Sequence, residues 1–488
     1  MSLGPFGPGA IAFVGLYFVL MIVLGLAARR RRESGDLADF YLANRSIGAL
    51  LLLLTLYATQ YSGNSLIGYP GEAYRIGFMW VMSVGFMMVV IVGYLTFAPQ
   101  LYRQSRRFKF VTPGDWIDHR FGSRALSLAA SVVFLVTITN FLLAQLMAMG
   151  HTVDALSDGA VPYWAGVVGL GLVVVIYESV GGMRAVVWTD ALQALMLLVG
   201  IIGMLVAVLP GIEGMASATQ WIIENEPAKA AVPQDGAIRT WISTIVLVCF
   251  SASIYPQAIQ RIFAARNAKS LRRSLTAMGF MPLVTTLPVF LVGILAIHQL
   301  QGLDGIEADQ VLPEMIRLWA EQSWFLYAMA VLVLTGAIAA IMSTADSMLL
   351  SLSSIVAKDV LAKTWLTSAS PQRLTTIGKR LSWVVMLVLI AVAFTPQISL
   401  WGLIELKLEI LLQAAPLFVL GASWRRFTAV GALAGLVVGV ALAAGLDFAG
   451  YGKIWGVHAG VVAVMLNLVV GAVLSLLARP HPREATQT

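Results

Sequence analysis

Apolar runs of about 20 residues follow one another along almost the whole chain. Each is long enough to cross the roughly 30 Å hydrocarbon core of a bilayer as a helix. They lie at about 9–29, 46–74, 78–102, 125–151, 162–180, 184–209, 238–262, 273–300, 322–352, 375–396, 398–421, 428–447 and 453–478, which makes thirteen. Hydrocarbon cannot hydrogen-bond an open backbone, so segments of this length and composition must be helical. Charged residues make up 12% of the 488 positions, about half the share of a soluble domain. That leaves too little polar surface to cover a globule in water. The expected fold class is an all-α integral membrane protein of thirteen transmembrane helices.

The basic residues set the orientation. No basic residue precedes the first run, and Arg29, Arg30, Arg31 and Arg32 follow it. That order describes an uncleaved helix with an outward N-terminus, not a signal peptide. Alternating through thirteen spans puts 26 of the 32 Lys and Arg residues in inward loops. Arg75, Lys229, Arg239, Arg317 and Lys453 face outward, and Lys407 lies within a span. The expectation is a multi-pass protein of the cell's inner (plasma) membrane with a cytoplasmic C-terminus. The net charge of +7 therefore belongs to loops and not to a nucleic-acid surface. The single Cys249 reads as an inert buried thiol, and the five histidines show no metal-like spacing. No Gly-rich loop ending in Gly-Lys-Ser/Thr is present to cradle ATP phosphates, which argues against a primary pump and against an enzyme.

Two spans are interrupted. The second runs Leu50–Leu54 and then turns polar through Thr55-Leu56-Tyr57-Ala58-Thr59-Gln60-Tyr61-Ser62-Gly63-Asn64-Ser65. The seventh is broken by Ser251-Ala252-Ser253-Ile254-Tyr255-Pro256-Gln257, where Pro256 removes a backbone donor. Secondary transporters place binding sites where helices unwind at corresponding positions of two repeats. The two breaks are five spans apart, which suits inverted five-helix repeats at 46–209 and 238–421. Residues 1–45 then form an extra N-terminal helix and basic loop, 210–237 an extracellular loop, and 422–488 two C-terminal helices with a short tail. For either break alone, small and hydroxyl residues that let helices pack closely are the plainer explanation.

Five separate stretches carry a family likeness. They are Asp39-Phe40-Tyr41-Leu42-Ala43-Asn44-Arg45-Ser46, Gly68-Tyr69-Pro70-Gly71-Glu72-Ala73-Tyr74, the run from Gly181 to Gln193, Tyr255 to Arg261, and Met342-Ser343-Thr344-Ala345-Asp346-Ser347. In this order and spacing the chain resembles the sodium:solute symporter family, whose bacterial members take up proline, pantothenate, acetate, sialic acid and sugars. The resemblance implies an amino-acid-transporter-like core of inverted five-plus-five helices, with one extra helix before it and two after.

Ala340, Ser343, Thr344 and Ser347 recur at three- and four-residue intervals and share one helix face. A hard cation such as Na+ wants several oxygen ligands. The resemblance implies a sodium site made of the carbonyls of Ala58, Tyr61 and Ala340 and the hydroxyls of Ser343 and Thr344. The same hydroxyls could instead bond the preceding turn's carbonyls. Asp190 and Asp346 fall at or near membrane depth, where an ionisable group is a functional candidate. The family's sialic acid branch resembles this layout at a second cation site of Asp190, Ser343, Asp346 and Ser347. An aspartate at 346 departs from that branch, and it would either strengthen a second sodium site or take a proton. The plainer alternative pairs Asp190 with a loop arginine near the inner face.

Candidate solute contacts are Gln60, Ser62, Asn64 and Ser65 on the first break and Tyr255 and Gln257 on the second. Gln60 replaces an acidic residue of the proline branch, while Ser65 and Tyr255 replace amides of the sugar branch. Glu405, Glu409 and Gln413 share one face of the eleventh span, with Lys407 roughly opposite. The Glu face is expected to line the solute cavity; the alternative is a structural pairing of Lys407 with a carboxylate. Together these readings point to sodium-coupled symport by alternating access, of an amino acid or organic acid before a sugar. Proton-coupled symport and a solute-sensing receptor on the same scaffold are the competing readings. Solute identity and oligomeric state stay open.

Overall fold

The computed structural model describes residues 8–30, 36–157, 159–208, 212–303, 305–394 and 400–478, with the side chain of Asn64 outside the description. Its principal helices begin with α1 (Pro8–Arg29), α2 (Ala49–Gln60), α3 (Gly68–Ile76), α4 (Met82–Phe108), α5 (Arg124–Leu156) and α6 (Tyr163–Val208). They continue with α7 (Asp235–Ser253), α8 (Pro256–Ala264), α9 (Met281–Gln299), α10 (Trp324–Ser354) and α11 (Pro371–Val392). The last are α12 (Leu400–Leu412), α13 (Ala415–Ser423), α14 (Ala429–Phe448) and α15 (Ala459–Leu477). One short antiparallel pair, Lys453–Ile454 with Val457–His458, joins α14 to α15.

Local sequence explains where several helices start. Ser323 and Ser370 accept from the backbone N–H groups of Leu326 and Arg373, capping α10 and α11. Pro371 and Pro256 then sit at first-turn positions, where no N–H is needed.

Among the described residues, ten helical stretches are long and apolar enough to cross a membrane. Of the three segments by which this differs from the thirteen expected, the first has a seventeen-residue apolar stretch, Ala12–Ala28, and the other two have local causes. The second expected span is interrupted after Gln60, leaving a twelve-residue helix before the break. The fifth and sixth are two helices joined without a loop within α6, which kinks between them at Gly182 with φ +59° and ψ −151°. That region of backbone space is essentially reserved for glycine. A Cβ there would also lie 2.5 Å from the Phe40 carbonyl oxygen. Beside this turn, Arg184 pairs with Asp39 at 3.0 Å, so two of the family-like stretches meet in space.

Helices α6 and α10 lie against one another at the centre, with α1 and α2 beside α6. Small residues allow the close approach. A Cβ on Gly200 would sit 2.9 Å from Val333 Cα, and one on Gly336 would sit 3.2 Å from Leu197 Cα. The C-terminal pair α14 and α15 uses the same device, since a Cβ on Gly435 would meet the Asn467 carbonyl oxygen at 2.6 Å. Outer faces are apolar and exposed, as at Leu16, Leu95, Val136, Val388 and Met465. In lipid such surface is the solvated one.

The turn at Gly182 yields a direct test. Gly182→Val should lower stability by about 2–4 kcal/mol, combining backbone strain with a clash against Phe40. Thermal unfolding of the purified protein in detergent measures this. A midpoint equal to the unsubstituted protein's would show that the turn does not need glycine.

Candidate functional site

The first break follows from its residues. Helix α2 ends at Gln60, Tyr61 takes the non-helical angles φ −96° and ψ 96°, and helix resumes at Gly63. A Cβ on Gly63 would lie 2.1 Å from Ile341 Cγ1, so its absence is what lets the break touch α10. The second break separates α7 from α8 across Ile254 and Tyr255, with Pro256 opening the new helix. Gln60 ties the two breaks together. Its amide nitrogen donates to the Ala252 carbonyl at 3.1 Å and to the Tyr94 hydroxyl at 2.5 Å.

Four of the five expected sodium ligands converge where the first break meets α10. Ser343 Oγ lies 2.8 Å from the Ala58 carbonyl oxygen and 3.1 Å from that of Ala340. Thr344 Oγ1 lies 3.4 Å and 3.0 Å from the same two oxygens. All four residues are buried. Here the hydroxyls donate to the two carbonyls, and rotating their protons away would turn the same oxygens into a cation's ligands. Tyr61, the fifth, is the residue at which the helix opens. The hydroxyls bond across to α2 as well as back along α10, so local back-bonding alone does not account for them.

The candidate second cation site is assembled as well, with an addition. Asp190, Asp346 and Ser347 are fully buried near Ser343. Arg261, also fully buried, reaches into the group. Its Nη2 lies 2.8 Å from Asp190 Oδ2 and 2.5 Å from Ser347 Oγ, and its Nε donates to Thr55 Oγ1 at 2.7 Å. Thr55 in turn donates to Asp190. Asp346 accepts from Tyr177 at 2.6 Å and from Ser347 at 3.1 Å. Asp190 thus has an arginine partner, but one held inside α8 and not in a loop. Arg261 is therefore not one of the inward loop charges, among which the sequence places it. It adjoins a run of exposed basic residues in sequence, yet its helix is buried on every side.

Beside the breaks lies a small cavity. Its walls include Gln60, Ser62, Ser65, Tyr69, Phe141, Tyr255 and Lys407. Four of the expected solute contacts, Gln60, Ser62, Ser65 and Tyr255, therefore share one cavity. Gln257 is buried elsewhere, its carbonyl accepting from Arg261 at 3.0 Å. The Asn64 side chain falls outside the described residues.

The charged face of α12 requires a correction. Glu405 and Glu409 do not line the cavity. Glu409 lies 3.5 Å from His458, and Glu405 3.4 Å from Lys453. Gln413 donates to the Gly460 carbonyl at 2.9 Å. The cause is α15, whose start packs so tightly that a Cβ on Gly460 would meet Glu409 Cα at 2.6 Å. The opposite face of α12 looks into the cavity and brings Lys407. Its ammonium lies over the Phe141 ring, 2.7 Å from the centroid, and 5.0 Å from that of Tyr255. Its position within a span was the available signal, as an intramembrane charge is a functional candidate by default.

Comparison with known proteins agrees with this geometry. The profile of the sodium:solute symporter family matches residues 40–439. The sodium/pantothenate symporter of Escherichia coli (strain K12) is 28% identical over 472 residues, covering 93% of each chain. The osmoregulated proline transporter of Bacillus subtilis (strain 168) is 24% identical, covering 98% of this chain and 96% of that one. A substrate-bound, outward-open Na+-coupled sialic acid symporter superposes with a TM-score of 0.80 at 19% identity, covering 97% and 99% of the two chains. With the match spanning most of the sequence and the broken helices in place, the chain belongs to the sodium:solute symporter family of membrane transporters.

Proposed function

We propose that this protein is a sodium-coupled secondary symporter that takes up a small polar organic solute by alternating access. An amino acid or organic acid suits the cavity better than a sugar, since Ser65 and Tyr255 stand where sugar carriers of the family hold amides. In this reading thirteen helices cross the plasma membrane, five-plus-five of them as inverted repeats, with the N-terminus outside and the C-terminus cytoplasmic. The observation that carries the proposal is the convergence of two carbonyls and two hydroxyls on the break, at Ala58, Ala340, Ser343 and Thr344.

Sodium at this cluster, with Tyr61 as fifth ligand, would bridge α2 to α10. Gln60 and Ser62, which face the cavity, flank Tyr61. An ion that fixes this break therefore fixes one wall of the solute site, and the two affinities must rise together. Uptake then follows the sodium gradient.

For the group around Asp190, Ser343, Asp346 and Ser347, the reading is a cation site served by the protein itself. The Arg261 guanidinium is the charge that Asp190 holds, so one sodium ion is carried per solute. Among the described residues Asp346 meets only hydroxyl groups at hydrogen-bond distance. That observation favours proton coupling as the second reading.

Uptake into proteoliposomes under imposed gradients separates the alternatives. Sodium-driven uptake with a hyperbolic dependence on sodium is expected. Uptake that ignores sodium and follows a proton gradient would overturn the proposal, and solute binding without uptake would identify a sensor. Ser343→Ala with Thr344→Ala should raise the half-saturating sodium concentration at least about tenfold, because two charge–oxygen contacts are lost. Unchanged sodium dependence would remove both from the site.

The buried ion pair is tested by stability. Asp190→Asn or Arg261→Gln alone should cost about 3–5 kcal/mol, each leaving one charge buried without its partner. The double substitution should be more stable than the sum of the two implies. Strict additivity in thermal unfolding would contradict the pairing.

A further inference from the structure

Lys407 is buried, with 3% of its surface exposed, and no carboxylate pairs with it among the described residues. The two nearest in sequence on its own helix, Glu405 and Glu409, face away and engage Lys453 and His458. Its contacts are the rings of Phe141 and Tyr255. Among the described residues no acidic one is in the cavity's walls, which carry one positive charge and no negative one. A desolvated ammonium needs a counter-charge, and two aromatic faces supply only part of what water would. The remaining walls do not provide it. Gln60 has committed its amide hydrogens to Tyr94 and Ala252, and Ser62, Ser65 and Tyr255 bring neutral hydroxyls.

We propose that the transported solute is a monocarboxylate whose ionised carboxyl group seats against Lys407. This rests on reading the cavity as the solute site. One lysine, with no guanidinium fork beside it, matches a single negative charge and not a phosphate or dicarboxylate. Phe141, Tyr255, Met87 and Leu408 would cover an apolar or weakly polar body, while Ser62 and Ser65 are placed to bond the carboxylate's free lone pairs or a substituent. Lys407 is then a specificity-determining residue. It rejects neutral analogues, because binding one would leave the ammonium desolvated without a partner.

The test uses the full chain, purified in detergent with sodium chloride present. Thermal unfolding is followed while titrating butyrate, benzoate, proline and pantothenate, each beside its primary amide. At least one acid should stabilise the protein, and its amide should not. Lys407→Met should weaken the apparent affinity for that acid about a hundredfold or more, whereas Lys407→Arg should retain most of it. The shift produced by sodium alone should be the same in Lys407→Met as in the unsubstituted protein, which checks that this variant folds. If Lys407→Met does not fold, Lys407→Gln takes its place, with loss of discrimination between acid and amide expected. Amides that bind as well as their acids, carboxylate affinity unchanged in the neutral variants, or no acid stabilising the protein would each overturn the proposal. Absence of carboxylate preference in the unsubstituted protein alongside intact sodium-driven uptake would sink this inference and leave symport standing. Absence of sodium-driven uptake alongside intact carboxylate preference would do the reverse.

Discussion

The arrangement depends on one unmade backbone bond. Ending α2 at Gln60 takes the Ser62 N–H out of helical register, so the Ala58 carbonyl loses its usual partner. In a dry interior a bare carbonyl is expensive, by roughly 1–3 kcal/mol on mutational scales. The protein answers with side chains from another helix, since Ser343 and Thr344 both reach that oxygen. The interaction that rescues the break also joins α2 to α10. It gathers four oxygens, the cluster proposed to hold sodium, and it lies beside Gln60 and Ser62 at the cavity.

Charge management in this core follows from the same low dielectric. An unpaired ion at the centre of a membrane protein is costly by every scale, and each buried charge answers that cost differently. Asp190 is matched by Arg261, a cation that cannot leave. Glu409 is matched by His458 from the turn before α15. Lys407 is matched only by aromatic faces, and it is the one of these that faces the cavity.

Much of this was legible in the sequence. Hydropathy gave the all-helical membrane class and most of the long apolar helices, and the 340/343/344/347 spacing gave the hydroxyl face of α10. The polar stretch 55–65 marked the first break, and Pro256 the second. What sequence could not give depended on distant partners. The face of α12 that meets the cavity is decided by α15, because Gly460 admits the Glu409 side of the helix. Alternation within α12 leaves both faces charged, so either was a fair reading. Arg261 looked like a loop charge because Arg266, Lys269, Arg272 and Arg273 follow it; only packing shows it turned inward to Asp190. Spans five and six follow one another without a loop because Gly182 alone makes the kink between the two helices.

The central claim is that the break at Tyr61 and the hydroxyl face of α10 together make a sodium site. Equilibrium binding of radiolabelled sodium to the purified protein tests it most directly. One saturable ion per chain is predicted for the unsubstituted protein, with the dissociation constant raised at least about tenfold when Ser343 and Thr344 are both alanine. An unchanged sodium affinity in the double variant would contradict the account, as would two ions per chain.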